Sequence, residues 1–210
     1  MQFSEIKLKG AYLVRLQKIE DERGYFARSW CGDEFRRAGL NPGMVQLNVG
    51  FNRKRGTIRG MHFQMSPHAE AKYIRCTRGG IYDVIVDLRE TSPTFRQWYG
   101  MELTAENGLS LYAPEGFAHG YQTLSDETEM CYMTSASYAP GAARGVRWND
   151  PAFDIRWPLP VAVISAQDRG WPDFPAQGLR ILAGKGNDSS IAAQSGAGCV
   201  PATESGREAS

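Results

Sequence analysis

The chain carries three histidines, His62, His68 and His119, and the surroundings of His62 suggest what chemistry it can do. His62 falls in RGTIRGMHFQ (55–64), where strand alternation places Ile58, His62 and Gln64 on one face and Met61 and Phe63 on the other. His62 therefore faces a cavity or a core, either as a buried, hydrogen-bonded side chain or as a working base. Lys72 opens the next strand, and Tyr132 lies in a third, EMCYMTS (129–135). A base, an ammonium and a phenol meeting inside one barrel are the groups that proton transfer to and from carbon requires.

Positioning them calls for a β framework. Runs rich in β-branched and aromatic residues recur at Tyr73–Thr77, Ile81–Leu88, Trp98–Leu103, Leu109–Tyr112 and Met130–Thr134, separated by Gly, Pro, Asn or Asp. Short strands at that rhythm predict an antiparallel sandwich or barrel. One short helix is expected before them, with Asp33 capping Glu34–Ala38 and Gly39 as its stop. The fold class is mainly β with few, short helices. Residues 1–183 are read as a single domain, and 184–210, rich in Gly, Ala and Ser and poor in aromatics, as a flexible tail.

Composition removes several function classes. The 24 Lys+Arg nearly cancel the 23 Asp+Glu, so no global field draws the chain to nucleic acid or an anionic membrane. No apolar run has the length of a signal peptide or a membrane span, which leads to the expectation of a cytoplasmic protein. Cys31, Cys76, Cys131 and Cys199 lie far apart without a C-x-x-C pair, as reduced thiols would. The glycine-rich phosphate loops of nicotinamide and ATP enzymes are missing.

His119 sits in PEGFAHG (114–120), whose P-x-G-x-x-H spacing resembles the second cupin motif, with a turn before the strand that carries the histidine. The first cupin motif carries His-x-His and a glutamate as metal ligands, whereas Gln64 stands here where the second histidine belongs. Two histidines and an amide are a poor set for a first-row metal, which favours a cupin working without metal.

The blocks DERGYF (21–26), RGTIRGMHFQ (55–64), AKYIRCTRGGIYDVIVDLRETSPTF (71–95), APEGFAHGYQTL (113–124) and RGVRWNDPAFDIRWP (144–158), with Tyr132 and Tyr138-Ala-Pro, resemble the dTDP-4-dehydrorhamnose 3,5-epimerase family in residue and in order, over about residues 3–173. The resemblance implies a homodimeric, cupin-like jelly roll acting on a nucleotide-diphosphate sugar, a 4-keto-6-deoxyhexose, with neither metal nor organic cofactor. It implies His62 as general base, Asp168 of ISAQD as the carboxylate that orients it, Lys72 beside the sugar O4 and Tyr132 as general acid on the opposite face. Arg23, Phe26, Gln46, Asn48, Arg59 and His119 match substrate contacts, and Tyr138 an aromatic that stacks on the base. Strict alternation sends Arg59 away from His62, and a bulge at Gly60 would reunite them. Four positions depart from the family pattern: Arg28 and Ala143 replace glutamates, Leu47 an aspartate and Gln167 a lysine. They leave open inversion of one centre rather than two, and beside the epimerase stand a non-catalytic sugar-binding cupin and a metal-dependent oxygenase.

Overall fold

A computed structural model describes residues 1–175, 177–179 and 181–182. The proposed tail, 184–210, and Cys199 with it lie outside the described residues. The elements are β1 (Gln2–Glu5), β2 (Tyr12–Arg15), β3 (Ile19–Asp21), β4 (Gly24–Phe26), α1 (Gly32–Arg37), β5 (Gln46–Asn52), β6 (Thr57–Gln64), β7 (Lys72–Arg78) and β8 (Gly80–Asp87). They continue with β9 (Trp98–Thr104), β10 (Leu109–Ala113), β11 (Phe117–Thr123), β12 (Thr128–Thr134), β13 (Ala143–Gly145), β14 (Val163–Ile164) and α2 (Ala166–Arg169).

Two antiparallel sheets face each other as a jelly roll. One runs β1-β2-β10-β7-β12-β5 and the other β13-β6-β11-β8-β9, with β14 joining β6 in parallel at its start. Ile74, Cys76, Leu111 and Met130 from the first sheet meet Ile81, Ile85, Leu103 and Tyr121 from the second in the central core. Strands β8 and β11 are buried along almost their whole length because the outer face of the second sheet is covered as well. Val146, Phe153, Ile155, Phe174 and Ile181 fold back over Met61, Phe63, Val84 and Val86 there. A strand enclosed on both faces reads as a continuous apolar run, as IYDVIVDL does.

The five strand runs expected from the sequence appear as β7, β8, β9, β10 and β12, with ends moved by at most two residues. The helix differs from expectation. It spans Gly32–Arg37 with Cys31 at the N-cap and no side-chain cap. Asp33 lies inside the first turn, where its charge complements the helix dipole and pairs with Arg36 at 2.5 Å. Packing rather than capping holds this helix: Phe35 is fully buried and meets Phe3, Tyr73 and Tyr112 edge-on at 5.1–5.9 Å. Gly39 ends it with φ +74°, its N–H reaching the Arg36 carbonyl at 3.1 Å.

Strand β6 corrects the alternation. His62 pairs with His119, but Arg59 pairs with Tyr121, so two residues of β6, Gly60 and Met61, oppose Gly120 alone of β11. This one-residue bulge at Gly60 and Met61 turns Arg59 onto the face of His62 and sends Ile58, opposite Gln122, to the other face. Gly60 has φ +124°, and a Cβ there would lie 2.5 Å from the Gly120 Cα and 2.9 Å from the His119 carbonyl oxygen. Only a glycine fits so close an approach of two backbones. Gly60→Ala should destabilise the protein by about 2–6 kcal/mol, combining an unfavourable backbone region with overpacking. Gly141→Ala, which meets nothing within 4 Å, should stay within about 0.5 kcal/mol of the parent. Urea unfolding of the two variants checks this, and equal midpoints would show that the backbones do not need the contact.

Candidate active site

At one end of the sandwich the sheets part around a cavity of about 620 Å³. Strand β6 supplies Arg59, His62 and Gln64 to its wall, β11 supplies His119 and Tyr121, and the opposite sheet supplies Lys72 from β7 and Tyr132 from β12. Asp168 closes the side behind His62 from α2, and Tyr138 stands at the rim. His62 and Tyr132 thus enter from opposite sheets, placing an imidazole and a phenol on either side of anything bound between them.

His62 is the accessible member of a carboxylate–imidazole pair. Its Nε2 lies 2.6 Å from Asp168 Oδ1, and its side chain is 46 % exposed while that of Asp168 is 6 % exposed. Burial pushes the Asp168 carboxyl up, but His62, the Gly60 N–H at 3.3 Å and the Ser165 hydroxyl together hold it below its ordinary value. An ionised carboxylate accepts, which favours the His62 tautomer with its proton on Nε2 and leaves Nδ1 as a free acceptor. A Ser165 N-cap fixes Asp168 in turn: its hydroxyl oxygen accepts the Asp168 backbone N–H at 3.0 Å. The S-x-x-D spacing of Ser165 and Asp168 is a capping signal, so the four-residue helix α2, absent from the sequence reading, had a mark in the sequence.

Lys72 is 5 % exposed. Burial lowers its ammonium from the ordinary value, and the Glu70 carboxylate, with which Nζ forms an ion pair, opposes that shift. Tyr132 is half-buried, and burial, reinforced by Glu70 and opposed by Arg59, raises its phenol. A phenol so placed keeps its proton at neutral pH and has one to give. His119 spends its Nε2 on Asp83 Oδ1 at 2.7 Å, and burial raises the fully enclosed Asp83 carboxyl against the pull of His119. Arg59 is held by Asn52, whose Oδ1 accepts its Nε–H at 2.8 Å, and Asn52 donates to the Tyr121 hydroxyl at 3.1 Å.

The structure therefore gathers His62, Lys72, Tyr132, Asp168, Arg59, His119 and Tyr138 around one space. Gln46 and Asn48 lie beside it on β5. Gln46 donates to Asn48 at 2.9 Å and accepts the Tyr138 backbone N–H at 3.1 Å, which seats the rim tyrosine. Arg23 and Phe26 are not brought to this chain's cavity. The β3–β4 hairpin carries them outward, with Arg23 paired to Asp21 and Phe26 73 % exposed. Of the four departures, Ala143 and Gln167 line the cavity, whereas Leu47 points outward and Arg28 pairs with Glu34 at 3.0 Å.

Sequence reasoning missed Glu70 and Asp83. Glu70 stands two residues before Lys72, a spacing that returns to the same side of an extended chain. Asp83 interrupts an apolar strand, and a charge there needs a buried partner. Gln64, read as a lost metal ligand, is a hydrogen-bond hub instead: it donates to Glu70, His68 and Ser137 and accepts the Ala139 N–H at 2.6 Å. Among the described residues no three His, Cys, Asp or Glu side chains are grouped to hold a metal ion.

Comparison with known proteins agrees with this geometry. Residues 5–176 match the family described as dTDP-4-dehydrorhamnose 3,5-epimerase. The chain is 41 % identical over 175 residues to the dTDP-4-dehydrorhamnose 3,5-epimerase of Sinorhizobium fredii, covering 83 % of this chain and 90 % of that one. It is 35 % identical over 170 residues to the dTDP-4-dehydrorhamnose 3-epimerase of Streptomyces niveus, covering 80 % and 82 %. The crystal structure of dTDP-4-dehydrorhamnose 3,5-epimerase from Bacillus anthracis, with TDP and PPi bound, superposes with a TM-score of 0.80 at 40 % identity, covering 82 % of this chain and 99 % of that one. A jelly roll with a paired imidazole on one wall, an ammonium and a phenol on the other, and this degree of kinship place the chain in the dTDP-4-dehydrorhamnose 3,5-epimerase family.

Proposed function

We propose that the cavity binds a dTDP-linked 4-keto-6-deoxyhexose and epimerises it at C3, C5 or both through an enolate. The observation that carries this reading is the placement of His62, backed by Asp168, on one sheet and of Lys72 and Tyr132 on the other. The 4-keto group acidifies the hydrogens on its neighbouring carbons. His62 Nδ1 takes one of them as a proton, and the electron pair moves into the ring and onto O4. The Lys72 ammonium meets the negative charge that develops there, an interaction strongest in the transition state. Tyr132 gives its proton to the opposite face of the carbon, inverting it, and exchange with water restores both carriers. Arg59 suits the diphosphate, as a guanidinium fork does, His119 a further substrate contact, and Tyr138 the exposed face of the base.

Inversion at a single carbon is a second reading, favoured by the kinship with a 3-epimerase and by Ala143 and Gln167 in the wall. In heavy water with dTDP-4-keto-6-deoxyglucose, deuterium should enter at C3 and C5 for a double epimerase and at one carbon for a single one. No incorporation would reject the activity. His62→Ala should slow exchange by roughly 10²–10⁴, the usual worth of a general base. Tyr132→Phe should reduce net inversion more than exchange, and equal loss of both would remove Tyr132 as the acid.

A homodimer and a cytoplasmic setting belong to the same reading. Among the described residues no helix is long and apolar enough to cross a membrane, and Cys31, Cys76 and Cys131 are free thiols. Strand β5 ends its sheet, and Leu47, Val49 and Phe51 on it, with Val45 just before it, are 42–65 % exposed. The β3–β4 hairpin adds exposed Ile19, Tyr25 and Phe26. Apolar surface along an open sheet edge suits burial against a second copy, whose cavity the hairpin could supply with Arg23 and Phe26. Leu47→Asp should convert a sedimenting dimer into a monomer at micromolar concentration, and a wild-type chain that sediments as a monomer would reject the assembly.

A further inference from the structure

We propose that Glu70 is a positioning residue for the reaction: its ion pair fixes the Lys72 ammonium at one point of the cavity wall and supports the ammonium charge where burial opposes it. This rests on the reading of the cavity as the epimerase site. The Lys72 side chain is 7 % exposed and that of Glu70 10 % exposed, and the two form an ion pair. A buried ammonium without a counter-charge tends to lose its proton, and a neutral amine would meet the enolate oxygen with a weak donor in place of a charge.

The groups around Lys72 leave that task to Glu70. Arg59 and His62 on β6, and Arg144 on β13, bring only positive charge or none. Asp168 on α2 is engaged by His62, and Asp83 on β8 by His119 of β11. Tyr132 on β12 is a phenol whose proton burial retains, Tyr138 a phenol at the rim, and Ala113, the β10 residue paired with Lys72, has no charge. Glu70 is itself held. Its second oxygen accepts from Gln64 Nε2 at 3.2 Å, and Gln64, 3 % exposed, is anchored to the backbone at His68, Ser137 and Ala139. The carboxylate cannot follow a substrate into the cavity, so it steadies Lys72 from behind. Burial raises the Tyr132 phenol and Glu70 adds to that shift, so the same carboxylate that pairs with Lys72 also favours the protonated phenol.

The test is Glu70→Gln, which keeps the shape and an oxygen for Gln64 while removing the charge. Two readouts are taken on the full chain across pH 6–10: kcat for dTDP-4-keto-6-deoxyglucose, and the Lys72 signal in protein labelled with 15N-lysine, assigned by its loss in Lys72→Arg. The expected result is a lower Lys72 titration midpoint with the alkaline limb of kcat moving in the same direction. A tenfold or greater loss relative to the parent near pH 9 is expected, shrinking toward pH 6.5, since each pH unit of displacement is about tenfold. An unmoved Lys72 midpoint overturns the inference, as does a kcat that falls by one factor at every pH, which is the mark of a purely structural role. A parent enzyme that turns over no nucleotide sugar would reject the site reading instead, and the lysine titration would still decide whether Glu70 holds the charge.

Discussion

Everything in the cavity depends on how closely β6 and β11 approach at Gly60 and Gly120. Each of these residues lacks the atom that would collide with the other strand, and the extra residue accommodated there changes which side chains of β6 face inward. A regular ladder would give the cavity an isoleucine where it has Arg59. At the bulge the Gly60 N–H reaches the Asp168 carboxylate. One local irregularity therefore sets both the placement of a cation near His62 and part of the charge state of the Asp168 carboxylate paired with it.

The charges of the site are arranged so that each working group has a silent companion. His62 has Asp168, Lys72 has Glu70 and His119 has Asp83. Groups removed from water hold a charge only when something nearby answers it. Because the companions come from β8, α2 and the residues before β7, the site cannot be formed by one strand or one loop. It exists only once both sheets have closed, and the apolar layers on either side of β8 and β11 supply the rigidity that holds donors and acceptors at fixed separation.

Much of this was legible in the sequence, and the remainder was hidden for physical reasons. The central strands were readable because burial on one or both faces writes itself as alternation or as an unbroken apolar run, and β7, β8, β9, β10 and β12 lay where those patterns put them. The short or exposed elements β3, β4, β13 and β14 carry no such pattern. The helix was found but misplaced, since Asp33 looked like a cap while the burial of Phe35, a tertiary fact, decides where the turn begins. Of the site, the gathering of His62, Lys72 and Tyr132 followed from strand order. Asp168 came from family resemblance alone, because a partner 106 residues away leaves no local trace. Glu70 stays hidden because it lies ahead of β7, outside the strand whose alternation marks inward-facing residues.

The manner in which Gln64 holds the rim has an evolutionary consequence. Its amide grips residues 137–139 through the Ser137 carbonyl and the Ala139 N–H, never through their side chains, and Gln46 likewise holds the Tyr138 N–H. The loop is moored by its backbone, so the identity of the residue it displays is free to drift. Exchange of Tyr138 for another planar or hydrogen-bonding side chain would change the surface at the cavity rim without loosening Glu70 or Lys72. The rim and the interior of the cavity are in this way separable inheritances, and a descendant or a designer can retune the first while leaving the second intact.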